Sequence, residues 1–179
     1  MKILLAKRRA LGDTVLLSSS IELLAKAVPG AEISALVPGP FRGVLEGNPG
    51  LKHLWFYEEG WLSLLPKLRA EKFDHFIQLH ASPRTRWLAR LSGARRVGFH
   101  FQNSETEKAY GKHPNALEWD PFYLRTIFGE GISVPGPAPK IFLSAREREE
   151  GREYWRGLGA DPSRLIFLGL GASRATKRW

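Results

Sequence analysis

The chain has 179 residues, of which 43% are hydrophobic and 25% are charged, the composition of an ordinary globular protein. It contains no cysteine, which excludes disulfide scaffolds, thiolate metal sites and a cysteine nucleophile. Its 27 Lys and Arg residues outnumber its 18 Asp and Glu residues, giving a net charge of +9. This excess favours polyanionic partners: nucleic acid, an anionic membrane surface or a phosphorylated substrate.

The apolar segments of the sequence are short, far below the ~20 residues that a transmembrane helix needs. Basic residues 7–9 interrupt the apolar start of the chain too early for a signal peptide. We therefore expect a cytoplasmic protein whose contact with the inner membrane is peripheral and electrostatic.

Short apolar segments alternate with helical patterns, which predicts βαβ units, a parallel sheet and the α/β fold class. The predicted strands are residues 3–6, 32–37, 51–57, 73–79, 97–101 and 164–168. The predicted helices are residues 13–28, 41–46, 61–71, 84–91, 118–128 and 145–158. Residues 102–118 are polar and aperiodic, which predicts a mobile loop.

Residues 135–139, rich in proline, break this alternation and are typical of a linker. The sequence therefore predicts a Rossmann-like domain at residues 1–134 and a linker with a charged helix at residues 135–161. In residues 162–179 a strand leads into a glycine-bearing loop, the pattern with which a further α/β domain begins.

The loop after the first strand is a candidate site, because open parallel sheets bind ligands beyond the carboxyl ends of their strands. Gly12 lets the backbone approach a ligand closely. Asp13 is the carboxylate of this loop, close to the cations of residues 7–9, and could act as a general base. It could also be the N-cap of the following helix, the interpretation that spacing alone favours, because aspartate is a preferred residue there. Spacing alone leaves both interpretations open.

A second candidate is the basic pair Arg86 and Arg90, whose i, i+4 spacing places both on one helix face. They could bind phosphate groups of a substrate or a lipid, or simply form a solvated face. The five histidines show no metal-binding spacing, so the sequence gives no support for a metal centre.

A third candidate is the glycine-bearing loop at the end of the chain. It fits neither the dinucleotide-binding nor the P-loop pattern. Backbone N–H groups from Gly171 and Ser173, with the cation of Lys177, could nevertheless cradle a diphosphate. A solvated basic tail would account for the same charges.

Three segments carry a family resemblance. Residues 3–16 (ILLAKRRALGDTVL) resemble the opening of glycosyltransferase family 9, the ADP-heptose:lipopolysaccharide heptosyltransferases. Residues 90–99 (RLSGARRVGF) are similar to its mid-domain signature, and residues 171–179 (GASRATKRW) to its nucleotide-site motif. The order of elements between these segments agrees with the family, so the resemblance covers the whole chain.

The resemblance implies a GT-B architecture, in which two Rossmann-like domains face each other across a cleft. The chain would be the acceptor-binding N-terminal domain with the first strand of the C-terminal, nucleotide-sugar-binding domain, which would start in residues 162–179. Because family members carry a second domain of similar size, we expect this chain to be the acceptor-side half and to be inactive alone.

The resemblance also implies an inverting, metal-independent transfer of heptose from ADP-heptose, without a cofactor. Asp13 would be the base that deprotonates the acceptor hydroxyl. Lys177 would neutralise the leaving diphosphate electrostatically, with Gly171, Ser173 and Thr176 in the same diphosphate site.

The partners implied are an ADP-sugar donor and the phosphorylated inner core of lipopolysaccharide as acceptor, met at the inner membrane surface. Gly12, Lys7, Arg9, Arg86 and Arg90 would contact this acceptor. Nucleic acid is not an expected partner on this hypothesis.

Two alternatives remain. The first is a glycosyltransferase that uses another nucleotide sugar. The second is a non-catalytic, basic Rossmann-like module for nucleic acid or anionic ligands, in which Asp13 is only a cap. The positive charges are not interleaved with aromatics as in a known RNA-binding signature.

Overall fold

The computed structural model describes residues 1–8, 10–101, 103–111, 114–161 and 164, apart from the side chains of residues 83 and 84. Its centre is a parallel sheet of five strands in the order β3-β2-β1-β4-β5. The strands are β1 (Lys2–Ala6), β2 (Glu32–Val37), β3 (His53–Phe56), β4 (His75–Leu79) and β5 (Arg96–His100). This sheet confirms the predicted α/β, Rossmann-like fold class.

Helices connect and flank the strands. They are α1 (Leu11–Ala27), α2 (Trp61–Glu71), α3 (Pro83–Leu91), α4 (Ser104–Tyr110), α5 (Trp119–Phe128) and α6 (Ala145–Gly157). Two short 3₁₀ helices, Gly39–Val44 and Tyr57–Glu59, lie before β3 and before α2. None of the helices in the described ranges is long and apolar enough to cross a bilayer.

The two faces of the sheet pack against different helices. Because side chains alternate along a strand, Ile3 and Leu5 of β1 point to one face and Leu4 and Ala6 to the other. The first face packs against α1 and α5, and the second against α2 and α3. Each of these four β1 residues is at most 2% exposed, as expected of a central parallel strand covered on both faces.

The order of the strands creates a switch point between β1 and β4. The chain builds outward from β1 through β2 to β3 and then returns to β4 on the other side of β1. In open α/β sheets, ligands bind at the carboxyl edge beside such a point. The loop after β1 and the start of α1 lie at this edge, as do the residues that follow β4 and β5.

The chain divides into two compact units, Met1–Phe142 and Leu143–Trp179. The first unit includes part of the segment predicted as a linker: the Gly136 N–H donates to the Leu117 carbonyl at 2.9 Å. The Lys140 N–H donates to Ser18 Oγ, also at 2.9 Å. The second unit contains α6. The predicted strand at 164–168 lies outside the described residues, except for residue 164, and the predicted domain boundaries stay a prediction.

One predicted element is wrong: the segment 102–118 contains a helix, α4. None of its residues is buried, so it shows no apolar periodicity for a sequence pattern to detect. Its signal is the N-cap, since the Asn103 side chain accepts a hydrogen bond from the Thr106 N–H at 3.0 Å. The predicted helix 41–46 is a 3₁₀ helix that begins two residues earlier, at Gly39.

Replacing Gly136 by Ala tests how residues 135–142 pack on the first unit. A Cβ at this position would lie 2.5 Å from Ser19 Oγ and 2.9 Å from Pro121 Cγ. We expect Gly136→Ala to lower the free energy of unfolding by about 1–3 kcal/mol through overpacking, measured by urea denaturation. Gly43→Ala is the control, because a Cβ there meets nothing within 4 Å. Equal unfolding midpoints for both variants would contradict this packing.

Candidate active site at the carboxyl edge of the sheet

The candidate base, Asp13, is not the N-cap of α1. The helix begins at Leu11, and the Thr14 N–H donates to the Ala10 carbonyl at 3.2 Å. Ala10 is therefore the N-cap, and no side chain caps this helix end. Asp13 lies in the first helical turn, where a carboxylate interacts favourably with the helix dipole. The capping interpretation of Asp13 is thus wrong, because α1 begins at Leu11, before Asp13, instead of directly after Asp13.

Asp13 is half-buried and makes neither a hydrogen bond nor an ion pair with the described part of the chain. Within the described residues, its carboxylate oxygens are therefore unoccupied. Gly12 beside it is exposed, and a Cβ there would meet nothing within 4 Å, so packing within this chain does not require glycine. A role for Gly12 toward a ligand stays a prediction.

Lys7, predicted to bind substrate, is buried in a salt bridge. Its side chain is 1% exposed, and Nζ contacts Oδ2 of Asp120, whose side chain is 4% exposed. The Lys7 N–H donates to the Leu36 carbonyl of β2 at 3.0 Å. Direct contact of Lys7 with a substrate would require this ion pair to open, which would leave Asp120 as an uncompensated buried charge. The structure therefore favours a structural role for Lys7.

His100, at the end of β5, adjoins the same ion pair. Its Nδ1 lies 3.9 Å from Asp120 Oδ1, and its ring stacks on Tyr123 with the centroids 4.7 Å apart. Burial lowers the pKa of His100 to about 4; Asp120 opposes this shift, and the positive charge of Lys7 adds to it. His100 is therefore neutral at pH 7.

Neither Asp120 nor His100 was among the site residues predicted from sequence. A usable signal was present, because Lys7, His80 and His100 each stand at the end of a predicted strand, and parallel strands end at a common edge. No comparable signal pointed to Asp120, which lies 113 residues from Lys7 along the chain.

Arg86 and Arg90 of α3 share a helix face, as their spacing predicted. The Arg86 guanidinium lies 5.4 Å from the centroid of the Phe99 ring, and that of Arg90 lies 5.9 Å from the same ring. Arg86 also lies 5.9 Å from the Phe101 ring, beyond the end of β5. These cation–π contacts hold the two cations beside the carboxyl half of β5. Phosphate binding by them stays a prediction.

Arg8 is a third cation at this edge. Its guanidinium lies 5.6 Å from the ring centroid of Tyr57, which follows β3. Burial raises the pKa of Tyr57, and the charge of Arg8 opposes this shift. The predicted site residues Arg9, Gly171, Ser173, Thr176 and Lys177 lie outside the described residues. Within the described ranges, no three His, Asp or Glu side chains are grouped to hold a metal ion.

Concave surfaces formed by the described residues lie beside β3, along α1 and beside β5, with volumes of about 240, 370 and 310 Å³. Asp13 lines none of these three. The described residues supply a carboxylate and several cations at one edge of the sheet, rather than an enclosed pocket around the carboxylate.

Comparison with known proteins identifies the fold. No family model and no curated protein matches the chain. Among solved structures, it is similar to a glycosyl transferase of family 9 from Veillonella parvula, with a TM-score of 0.77 and 20% identity over 99% of this chain. It is also similar to the ADP-heptose lipopolysaccharide heptosyltransferase II of E. coli, with a TM-score of 0.60 and 17% identity over 92% of this chain.

The chain spans about half of each of these structures, 56% of the first and 52% of the second. At these identities the likeness shows the fold. The resemblance to glycosyltransferase family 9 read from the sequence is thus confirmed at the level of the fold.

The buried ion pair predicts that replacing Lys7 and replacing Asp120 have coupled effects on the stability of the protein. Lys7→Met leaves Asp120 unpaired, and Asp120→Leu leaves Lys7 unpaired, so each single variant should lose about 3–5 kcal/mol of unfolding free energy. The double variant buries neither charge, and its loss should be well below the sum of the two. Urea denaturation of all four proteins measures this coupling, and additive losses would show that the two side chains do not interact.

The buried His100 predicts a pH dependence of stability. With a pKa near 6.5 in the unfolded chain and about 4 in the folded protein, it binds a proton only on unfolding between these values. The free energy of unfolding should therefore fall as the pH decreases from 6.5 to 4, by at most ~1.4 kcal/mol per pH unit. His100→Gln should flatten this dependence in urea denaturation, whereas His53→Gln, at an exposed position of β3, should leave it unchanged. Identical pH profiles for wild type and His100→Gln would contradict the prediction.

Proposed function

We propose that this chain is the acceptor-binding domain of a glycosyltransferase similar to those of family 9. The observation that carries the proposal is the position of Asp13: a half-buried carboxylate without a partner among the described residues, in the first turn of α1 at the carboxyl edge of the sheet. The fold shared with the glycosyl transferase of Veillonella parvula supports it.

In the proposed reaction, Asp13 accepts the proton of an acceptor hydroxyl as the hydroxyl oxygen attacks the anomeric carbon of the donor. A bond forms between this oxygen and the anomeric carbon, and the bond to the diphosphate oxygen breaks. The diphosphate leaves with the electron pair. A single displacement of this kind inverts the anomeric configuration. Asp13 can take this role because it is not occupied by capping or by an ion pair in the described structure.

The donor that we propose is a nucleotide sugar, with ADP-heptose as the specific candidate. This proposal is supported by the similarity of the chain to the ADP-heptose lipopolysaccharide heptosyltransferase II of E. coli. The diphosphate would bind at Gly171, Ser173, Thr176 and Lys177. Cationic stabilisation by Lys177 would take the place of a metal ion at the leaving group.

The acceptor that we propose is the phosphorylated inner core of lipopolysaccharide, on the cytoplasmic side of the inner membrane. The cations held beside aromatic rings, Arg8, Arg86 and Arg90, are suited to phosphate groups. Buried Lys7 would act indirectly, by fixing the start of the loop that leads to Asp13.

A second candidate function is a non-catalytic module that binds anionic ligands. The observation that favours it is the stacking of Arg86 and Arg90 on exposed or half-buried aromatic rings, which presents charge without any need for a base. On this alternative Asp13 has no chemical role, so its replacement separates the two functions.

Asp13→Asn tests the proposed function in the protein that includes the nucleotide-sugar-binding domain. We expect the transfer of radiolabelled heptose from ADP-heptose to a lipopolysaccharide-core acceptor to fall ~10²–10⁴-fold, because asparagine cannot accept the proton. Stability should change by no more than ~1 kcal/mol, since the carboxylate loses only its interaction with the helix dipole.

Glu105→Gln is the matched control, because Glu105 is an exposed carboxylate in the first turn of another helix, α4. Its transfer rate should equal that of the wild type. An Asp13→Asn protein with an undiminished rate would refute the role of base and leave the binding module as the better account.

A further inference from the structure

Four large apolar side chains on two neighbouring helices are exposed to solvent. On α2 they are Trp61, 47% exposed, and Leu62, 96% exposed; on α3 they are Trp87, 59% exposed, and Leu91, 40% exposed. We call these four residues with Arg69 and Arg90 the α2–α3 face. A single exposed leucine is ordinary on a protein surface, whereas a group of aromatic and aliphatic side chains points to an interaction surface.

A hydrogen bond joins the two helices that carry these side chains. Arg69 Nε donates a hydrogen bond to the Leu91 carbonyl at 2.7 Å, which joins the C-terminal end of α2 to that of α3. Leu62 and Arg69 are seven residues apart and lie on the same side of α2, so the Leu62 side of α2 borders α3.

On α3, Trp87, Arg90 and Leu91 follow i, i+3, i+4 spacing and share its outer side. Both helices bury their other sides in the same core cluster, through Leu64 of α2 and Leu88 of α3. The exposed sides of α2 and α3 therefore both face away from the sheet, and the Arg69–Leu91 hydrogen bond joins the two helices.

This surface is strongly basic. The two helices contain five Lys or Arg residues and one Glu: Lys67, Arg69, Arg84, Arg86, Arg90 and Glu71. Two of these charges are compensated by ion pairs: Glu71 Oε2 pairs with Lys2 Nζ at 2.9 Å, and Lys67 Nζ pairs with Glu59 Oε2 at 2.6 Å. Arg69, Arg86 and Arg90 make no ion pair with a carboxylate of the described residues, and the Arg90 guanidinium lies 5.9 Å from the ring centroid of Trp87.

We propose that the α2–α3 face binds the surface of an anionic lipid bilayer. Tryptophan and leucine side chains enter the boundary between headgroups and acyl chains, while long basic side chains meet lipid phosphates. Leu62 and Leu91 argue against nucleic acid, because aliphatic side chains neither stack on bases as aromatics do nor form hydrogen bonds with them. The concentration of positive charge argues against a second copy of the same face, because two such faces repel each other.

This membrane contact extends the proposed function, and its biological purpose rests on that function. Trp61 and Leu62 stand in the first turn of α2, and α1 also begins at the carboxyl edge of the sheet. A bilayer on the α2–α3 face would therefore lie close to the edge that carries Asp13. A lipid-anchored acceptor could reach Asp13 from that surface without leaving the membrane.

Vesicle binding of this chain tests the proposal. We expect co-sedimentation with phosphatidylcholine vesicles that contain about 30% phosphatidylglycerol, little co-sedimentation with phosphatidylcholine alone, and weaker binding as salt screens the charges. Leu62→Ser/Trp87→Ser should weaken binding to the anionic vesicles by ~10-fold or more, because it removes the inserted side chains but no charge. Both residues are exposed, so the variant should keep the wild-type unfolding midpoint.

Ile141→Ser is the matched control, since Ile141 is 52% exposed and lies in the first unit outside the α2–α3 face. This variant should bind vesicles as the wild type does. Equal binding by Leu62→Ser/Trp87→Ser and wild type would overturn the proposal. So would equal losses in both variants, or an effect of Leu62→Ser/Trp87→Ser confined to oligonucleotide binding or to self-association.

The outcome is separable from that of the proposed function. Vesicle binding does not depend on Asp13, so Asp13→Asn should bind vesicles normally while transfer is lost. Transfer to a detergent-free, water-soluble core acceptor does not need a bilayer, so it should survive Leu62→Ser, a change at a side chain that is 96% exposed. A failure of vesicle binding would therefore leave the proposed transferase untouched, and a failure of the Asp13 test would leave the membrane surface untouched.

Discussion

The ion pair between Lys7 and Asp120 is the contact on which the arrangement of the carboxyl edge depends. Both side chains are almost fully buried, so each needs the other to avoid an uncompensated charge. Because Lys7 directly follows β1 and Asp120 lies in α5, the pair ties the central strand to a helix on one face of the sheet. It fixes the start of the loop from which α1, and with it Asp13, follows.

Burial, assisted by the charge of Lys7, explains why His100 can lie beside a carboxylate and remain neutral. An aspartate next to a histidine ordinarily favours the imidazolium, but Asp120 already compensates Lys7, and burial penalises a further charge. The result is a compact group in which Lys7 and Asp120 compensate each other and His100 carries no charge at neutral pH. Asp13, by contrast, has no partner in the described chain. Lys7, Asp120 and His100 therefore hold the edge together, whereas Asp13 is suited to interact with a ligand.

Local patterns were enough to predict much of the fold. β2 (Glu32–Val37) and α2 (Trp61–Glu71) match their predicted bounds, because apolar periodicity and breaker residues mark both. α4 has no buried residue and left no such pattern. Of the candidate site, Asp13 could be proposed from its position after a strand, and its role stays a prediction, whereas the ion pair between Lys7 and Asp120 depends on tertiary packing between distant segments. Likewise the true start of α1 is set by a backbone hydrogen bond to Ala10, which has no capping side chain.

The helices on the two faces of the sheet leave different side chains exposed, so the domain has two chemically different sides. On the α1 and α5 side, buried charges and rings from Lys7, Asp120 and His100 are used internally to stabilise the edge. On the α2 and α3 side, Leu62 and Trp87 are exposed to solvent, and the Arg90 guanidinium lies beside the Trp87 ring. Because α1 and α2 both begin at the carboxyl edge, the base proposed on one side and the membrane surface proposed on the other meet at a common boundary. In this arrangement one side of the domain holds the proposed base in place, while the other side positions the domain on a charged membrane surface.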